Sequence, residues 1–213
     1  MKIALIGATG FVGAALLQEA LARGHQVSAL VRHPERLPVH AHLLPVQADA
    51  YQADSIAAAV AGHAAVISAF NPGWGDAEIR ARFLQGSQAI IAGTKAAGVK
   101  RLLVVGGAGS LYVAPGLQLI DTPHFPAQYK EGAEGARQLL NLLGDERDLD
   151  WTFLSPPALL QPGERSGHYR VGGDQLLMDG EQPAAISVAD LAVALIDELE
   201  TPQHPGRRFT VAA

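Results

Sequence analysis

The chain is predicted to fold as one α/β domain built on a doubly wound parallel sheet. Three observations predict it: six short apolar runs that read as strands, helical stretches between them that end at glycine, and a glycine-rich turn directly after the first run. The 213 residues, 48% of them hydrophobic, suffice for one large core. No repeat, linker or low-complexity tract divides them, so the domain is assigned residues 1–213.

The strands come first. "KIALIG" (2–7), "QVSALVR" (26–32), "HLLPVQA" (42–48), "AAVISAF" (64–70), "RLLVVGG" (101–107) and "WTFLS" (151–155) are near-continuous apolar stretches, as expected for strands buried on both faces of a parallel sheet. Helices are expected over 11–23, 54–61, 77–97 and about 126–143. Each is followed by a glycine, at 24, 62, 98 and 144, which can take the left-handed stop conformation cheaply. Segment 33–41 is short and irregular. Beyond 155 the pattern loosens: 156–186 is a turn-rich C-terminal region with room for a small hairpin. "SVADLAVALIDELE" restores a helix, with Ser187 as N-cap and Asp190 in the first turn. "RRFTVA" supplies a last strand.

Composition excludes several classes. The net charge of −5 comes without a basic block, so no nucleic-acid footprint is expected. The absence of cysteine removes disulfides, thiolate catalysis and cysteine metal sites. Among eight histidines, His40 and His42 share a side if extended, but no third ligand accompanies them, so no metal is expected. Ser110 in "GAGSL" lacks the glycine spacing of a nucleophile elbow. The uncharged runs 55–75 and 102–120 are broken by polar residues, glycine and proline, and the N-terminus leads straight into a strand. These features predict a soluble cytoplasmic protein with no membrane partner.

"GATGFVG" places Gly7, Gly10 and Gly13 between the first strand and the first helix. In that context Gly7 permits the tight turn, Gly10 admits a diphosphate to the backbone, and Gly13 lets helix and sheet pack closely. The helix N-terminus then presents free N–H groups to the phosphates. The expected fold is therefore Rossmann-type, with a dinucleotide cofactor. Where an acid at the end of the second strand would select NAD, this chain has Arg32. A guanidinium pairs with a 2′-phosphate, so NADP(H) is expected to be preferred, with NAD(H) possible.

The "GxxGxxG" spacing and Arg32 resemble those of extended and atypical short-chain dehydrogenase/reductases. More narrowly, "IALIGATGFVG", "ALVRHPERL", "LLVVGGAGSL", "LDWTFLSPPALLQPGERSGHYRVGGDQLL" and "ISVADLAVALIDELETPQHPGRRFTV" resemble the small NAD(P)H-binding proteins often described as candidate NADH-flavin reductases, related to the biliverdin reductase B and NmrA-like groups. The resemblance implies a diphosphate over Gly7–Gly13 with Thr9, Phe11 and Val12 in the same loop, and Arg32 at the adenosine ribose. It implies Asp49 beside the adenine, and Ala69, Phe70 and Asn71 along the cofactor. Gly107 and Ser110 would lie near the nicotinamide, and Ser155, Pro156 and Pro157 at its carboxamide.

The helix "FPAQYKEGAEGAR" raises the catalytic question. Short-chain enzymes carry Tyr-x-x-x-Lys on this helix, whereas here Tyr129 and Lys130 are neighbours, about 100° apart on a helix. Aligning Lys130 with the family lysine puts Pro126 at the tyrosine position, and aligning Tyr129 puts Ala133 at the lysine position. Ordinary alcohol chemistry, which needs a positioned proton donor, is therefore disfavoured. Flavin reduction tolerates the loss, because the reduced ring can take its proton from water. The first reading is an NAD(P)H-dependent oxidoreductase acting on a small planar acceptor (free flavin as substrate rather than tightly held cofactor, a quinone or a tetrapyrrole), working as a monomer or homodimer. Lys130 is the expected hold on the nicotinamide ribose, Ser110 a hydrogen-bond donor to the acceptor, and His124 an alternative proton donor. Trp74, Tyr112, Phe125 and Tyr169, with His124, are expected to wall the acceptor pocket. A non-catalytic NADP(H) sensor of NmrA-like type is the alternative, and a sugar-nucleotide epimerase is a weaker third.

Overall fold

The computed structural model describes all 213 residues. In chain order the elements are β1 (Lys2–Ile6), α1 (Phe11–Ala22), β2 (Gln26–Val31), β3 (Leu43–Gln47), α2 (Ala53–Val60), β4 (Ala65–Ser68), α3 (Ile79–Ala96) and β5 (Arg101–Val105). There follow the short β6 (Tyr112–Ala114) and β7 (Leu117–Gln118), then α4 (Ala127–Gly144) and β8 (Asp150–Ser155). The C-terminal region holds β9 (Leu159–Gln161), β10 (Arg170–Gly172), β11 (Met178–Asp179), β12 (Gln182–Pro183) and β13 (Ala185–Ser187). It ends in α5 (Val188–Glu200) and β14 (Arg207–Ala212).

The central sheet has the order β3-β2-β1-β4-β5-β8-β14-β10, all parallel except the edge strand β10. Strand order reverses between β1 and β4, which pair from Ile3↔Ala65 to Ile6↔Ser68. A crevice for ligand opens at the carboxyl ends of the strands beside such a reversal. Alternate residues of each strand feed two cores. Leu5, Leu154 and Phe209 meet Leu16 of α1 and Leu195 of α5 on one face. Ile6, Leu102 and Phe153 meet Ile56 of α2, Ile90 of α3 and Leu139 of α4 on the other. Each such side chain contributes about 1.5–3 kcal/mol by leaving water.

Sequence and structure agree on the Rossmann-type architecture and on every helix to within a turn, with four instructive departures. Gly24, Gly62 and Gly98 take the left-handed conformation, at φ 77°, 73° and 72°, whereas Gly144 is simply the last residue of α4. The N–H groups of Asp145 and Glu146 continue to the carbonyls of Leu142 and Leu143, so no left-handed stop is needed there. β3 is not buried on both faces: it is a sheet edge with Leu44 exposed. Pro45 fits that position, since an edge strand tolerates a residue without an N–H. The expected hairpin exists as β11/β12, but the C-terminal region also forms a parallel β9/β13 pair.

The fourth departure matters most for the site. Segment 163–169, which carries the Tyr169 expected in the acceptor wall, runs along α1 and α5. Arg165 forks onto Glu19 at 2.7 and 2.9 Å, and Asp190 accepts the N–H groups of Ser166 and Gly167. Asp190 in turn donates its own N–H to Ser187, the expected N-cap of α5, at 2.9 Å. No helix is long and apolar enough to cross a membrane.

Candidate functional site

The glycine turn lies at the strand-order reversal. Gly7 has φ 82°, and a Cβ there would meet the Ala69 carbonyl oxygen at 2.5 Å. A Cβ on Gly13 would lie 1.9 Å from the Gly7 carbonyl oxygen, so α1 can approach β1 only with glycine at this position. Gly10 differs from both. Its φ is −80°, open to any residue, and a Cβ would find one neighbour at an ordinary 3.4 Å. The protein's own packing thus explains two of the three glycines and leaves Gly10 facing open space.

Gly10 is also the N-cap of α1, and it offers no side chain. No acid stands in the first turn, and the N–H groups of Phe11, Val12 and Gly13 have no partner within the chain. α5, by contrast, is capped by Ser187 and carries Asp190 in its first turn. An uncapped N-terminus with its glycine aimed outward fits the diphosphate of a dinucleotide. Thr9 and Phe11 are exposed on the same loop and Val12 is half-buried.

Neighbouring strand ends supply the rim. Arg32 is exposed and makes no ion pair; the Glu35 carboxylate lies 3.2 Å from the ring of the adjacent His33. The Asp49 carboxylate accepts the Tyr51 N–H at 2.9 Å, which turns the chain after β3 and leaves its second oxygen free of protein donors. Ala69 backs onto the glycine turn. Phe70 does so only through its backbone, because its ring drops into the helical layer. There it stacks on Phe83 at 6.2 Å, meets Tyr51 edge-on, and occupies the space a Cβ on Gly86 would need. Asn71 accepts the Gly73 N–H at 2.8 Å and so shapes the loop that presents Trp74.

At the other end of the crevice, Gly107 and Gly109 contact α4: a Cβ on Gly109 would come within 2.9 Å of Ala133, and one on Gly107 within 3.4 Å of Ala136. Lys130 lies one turn before Ala133 on this face, exposed and without an ion pair. Tyr129 points elsewhere. Its ring meets Trp74 edge-on at 5.1 Å, and the indole lies over Gly132, where a Cβ would meet it at 2.6 Å. On this helix Ala133 and Ala136 meet the Gly107–Gly109 loop, whereas Tyr129 and Gly132 meet Trp74. Tyr129 and Lys130 do not form a pair.

Ser110 departs from expectation. It is 2% exposed, and both its carbonyl and its hydroxyl oxygen accept from Arg208 at 2.9 Å, so the side chain is held inward and away from the crevice. Ser155, Pro156 and Pro157 are buried at the end of β8. The Ser155 carbonyl accepts from Thr210, and its enclosed hydroxyl has no partner. Tyr112 is half-buried, with its backbone tied to Asp174 and Leu176. Phe125 is also half-buried, and His124 is exposed.

Tyr169 does not join this group. It lies on the α1/α5 layer and donates to Asp197, whereas Trp74 and Tyr129 belong to the α3/α4 layer. Burial, with the Asp197 carboxylate beside it, raises the Tyr169 hydroxyl above its ordinary value. Sequence reading missed Arg208 and Asp174. The available signal was a charged residue inside the otherwise apolar strand "RRFTVA", which demands a buried partner. It also missed the Trp74–Tyr129 contact, for which the helical "GAEG" was the sign of close approach. Among His, Asp and Glu, no group of three could hold a metal ion.

Fold and site together define a Rossmann-type dinucleotide-binding protein of the oxidoreductase-like kind. The family model described as NAD(P)H-binding matches residues 7–199, and the chain belongs to that family. It is 38% identical to the Bacillus subtilis protein YwnB over 216 aligned positions, covering 100% of this chain and 99% of that one. A solved structure from Bacteroides thetaiotaomicron, described as a candidate epimerase, shares 46% identity at a TM-score of 0.93, covering 99% of this chain and 96% of the other. A Streptococcus pneumoniae protein described as a candidate NADH-flavin reductase shares 34% identity at a TM-score of 0.83, with 100% and 99% covered.

Proposed function

We propose that the protein is an NAD(P)H-dependent oxidoreductase that reduces a free flavin, or a similar planar acceptor, with NADPH as the preferred donor. The observation that carries this reading is Gly10: an outward glycine that no internal contact requires, on a helix N-terminus with no cap. The N–H groups of Phe11, Val12 and Gly13 hold the diphosphate, Arg32 meets the 2′-phosphate, and Asp49 borders the adenine side. Lys130, exposed on α4 one turn before Ala133, holds the nicotinamide ribose. When bound, NADPH supplies the hydride, and the fold's part is to orient donor and acceptor.

The acceptor end favours a substrate that brings no need for a protein acid. Ser110 is turned inward to Arg208, and Tyr129 is separated from Lys130. What remains exposed is the Trp74–Tyr129 surface, which suits stacking on a flat ring. The description of the Streptococcus pneumoniae relative supports a flavin. The epimerase description of the Bacteroides relative is a weaker guide, since that chemistry needs the acid this site lacks.

The test is oxidation of NADPH, followed at 340 nm, with FMN, FAD, a quinone and biliverdin as acceptors. Turnover with FMN or FAD is expected. Tight NADPH binding without turnover on any of the four would instead make the protein a sensor. Arg32→Ala is expected to weaken NADPH binding about 10- to 100-fold, the value of one charge-assisted contact, and to leave NADH affinity unchanged. Fluorescence titration with both nucleotides measures it, and equal losses for the two would remove Arg32 from the 2′-phosphate.

A further inference from the structure

Arg208 is a guanidinium only 7% exposed, in a strand whose next residues, Phe209 to Ala212, are all buried. Burying a charge is costly unless its donors are well matched, and here all five contacts lead to two loops rather than to the core. Nη1 donates to the carbonyl and hydroxyl oxygens of Ser110, both at 2.9 Å. Nε and Nη2 donate to Oδ1 of Asp174 at 2.9 and 2.7 Å. The two loops are also laced directly: the Tyr112 N–H donates to the Asp174 carbonyl, and the Leu176 N–H to the Tyr112 carbonyl, each at 2.9 Å.

The unit so formed reaches the crevice on its other side. Gly109, next to Ser110, abuts Ala133 of α4, one turn from Lys130. Within the sheet, Arg208 is the cross-strand neighbour of Phe153, whose ring occupies the space over Gly106 where β5 leaves the sheet. A single buried cation thus links the end of β5, the Gly107–Tyr112 loop and the Asp174–Leu176 loop. The glycine turn that faces the diphosphate is four strands away across the sheet.

We propose that Arg208 is the positioning residue of the acceptor side: it holds the Gly107–Tyr112 and Asp174–Leu176 loops as one unit over the end of β5, and so sets acceptor affinity without touching the nucleotide. The kinetic half of this role rests on the reductase reading above; the structural half does not. Arg208→Lys keeps the charge but cannot fork to both loops. Asp174→Asn removes the counter-charge at a surface side chain and keeps its shape, so it reports the same link if Arg208→Lys fails to fold.

Two measurements are made on each variant. Hydrogen exchange is expected to quicken at least about 10-fold at the Tyr112 and Leu176 amides, with no change in β1 and α1, because those two amides lose the scaffold that orders them. Steady-state kinetics with FMN should show KM for FMN raised at least about 10-fold, while NADPH affinity by fluorescence stays within about 2-fold. Unchanged exchange at Tyr112 and Leu176 overturns the proposal, as does an unchanged KM for FMN. A matching loss of NADPH affinity overturns it too, since that marks general loosening. If the wild type does not oxidise NADPH with FMN, the reductase reading has failed, and exchange alone decides whether Arg208 holds the two loops.

Discussion

Gly10→Ala is expected to fold like the wild type and to lose NADPH binding, whereas Gly13→Ala is expected to lose stability first. Gly13 has no room: an added methyl lies 1.9 Å from the Gly7 carbonyl oxygen, which is backbone and cannot turn aside, so α1 must move off β1. A forced shift of that kind costs about 3 kcal/mol or more, a fall in Tm of roughly 6–12 °C for a domain of this size. Gly10 has room: the same methyl meets one atom at 3.4 Å, at an ordinary φ. Its Tm should move by no more than about 2–4 °C, the loss of a slightly better N-cap. The methyl would nevertheless stand where the diphosphate must approach the Phe11–Gly13 N–H groups, and NADPH affinity should fall at least about 10-fold, or about 1.4 kcal/mol. Thermal denaturation and fluorescence titration on the two variants separate the effects. A Gly10→Ala protein that binds NADPH normally would remove the glycine turn from the site.

The second large effect is expected far from the crevice, at Glu198. This carboxylate is 4% exposed and lies at the amino-terminal ends of β5 and β8. It accepts Arg101 Nη2 at 2.9 Å and the N–H groups of Gln203 and His204 at 3.0 Å each, with the His204 ring at 2.8 Å. Glu198→Leu would strand Arg101, whose Nε is already buried without a partner, and should destabilise the fold by about 3–5 kcal/mol. That corresponds to a fall in Tm of roughly 6–20 °C. Replacing Arg101 with Met in the same chain should recover most of the loss, because the unpaired charge goes with it.

The same group makes stability depend on pH. Burial alone would raise the Glu198 pKa, but the Gln203 N–H and the His204 ring and N–H outweigh it and hold the carboxyl below its ordinary 4.5. A depressed folded-state pKa means that the contribution is complete above the unfolded value and is lost as pH falls below about 4.5 toward the folded one. Glu19 adds to the trend in the same direction: the Arg165 fork lowers its pKa, burial opposes, and Arg23 lowers it further. Tm measured from pH 7 to pH 3 should therefore drop steeply below pH 4.5. Glu198→Gln should start lower and show a shallower slope through that window; equal slopes would mean that Glu198 is not protonating there.

How far these features could be read from the chain alone depends on the distance over which each is encoded. The order of strands and helices was legible because it is a local matter of apolar runs, glycine stops and the Ser187/Asp190 cap. The roles of Gly7 and Gly13 were legible too, since strand, turn and helix fix them within a dozen residues. The end of α4 at Gly144 and the exposure of β3 are not legible locally. One depends on what the chain does after the helix, the other on whether a neighbouring strand exists.

The surroundings of Ser110 and Tyr169 were the least legible part. Ser110 and Tyr169 carry suitable chemistry at suitable places in the chain, yet Arg208, 98 positions on, turns the first inward, and Asp197 draws the second onto the opposite layer. The absence of a Tyr-x-x-x-Lys pair needed no structure, because helical periodicity already separates neighbouring residues. That Ala133 meets the Gly107–Gly109 loop while Tyr129 meets Trp74 is decided only by how α4 packs, since the glycines at 109 and 132 let two different loops approach two faces of one helix. Periodicity and local turn chemistry operate over a few residues and are written into the chain directly. The partner of a buried charge, or the loop that meets a given helix face, is chosen by packing between segments a hundred residues apart, and no local pattern carries that choice.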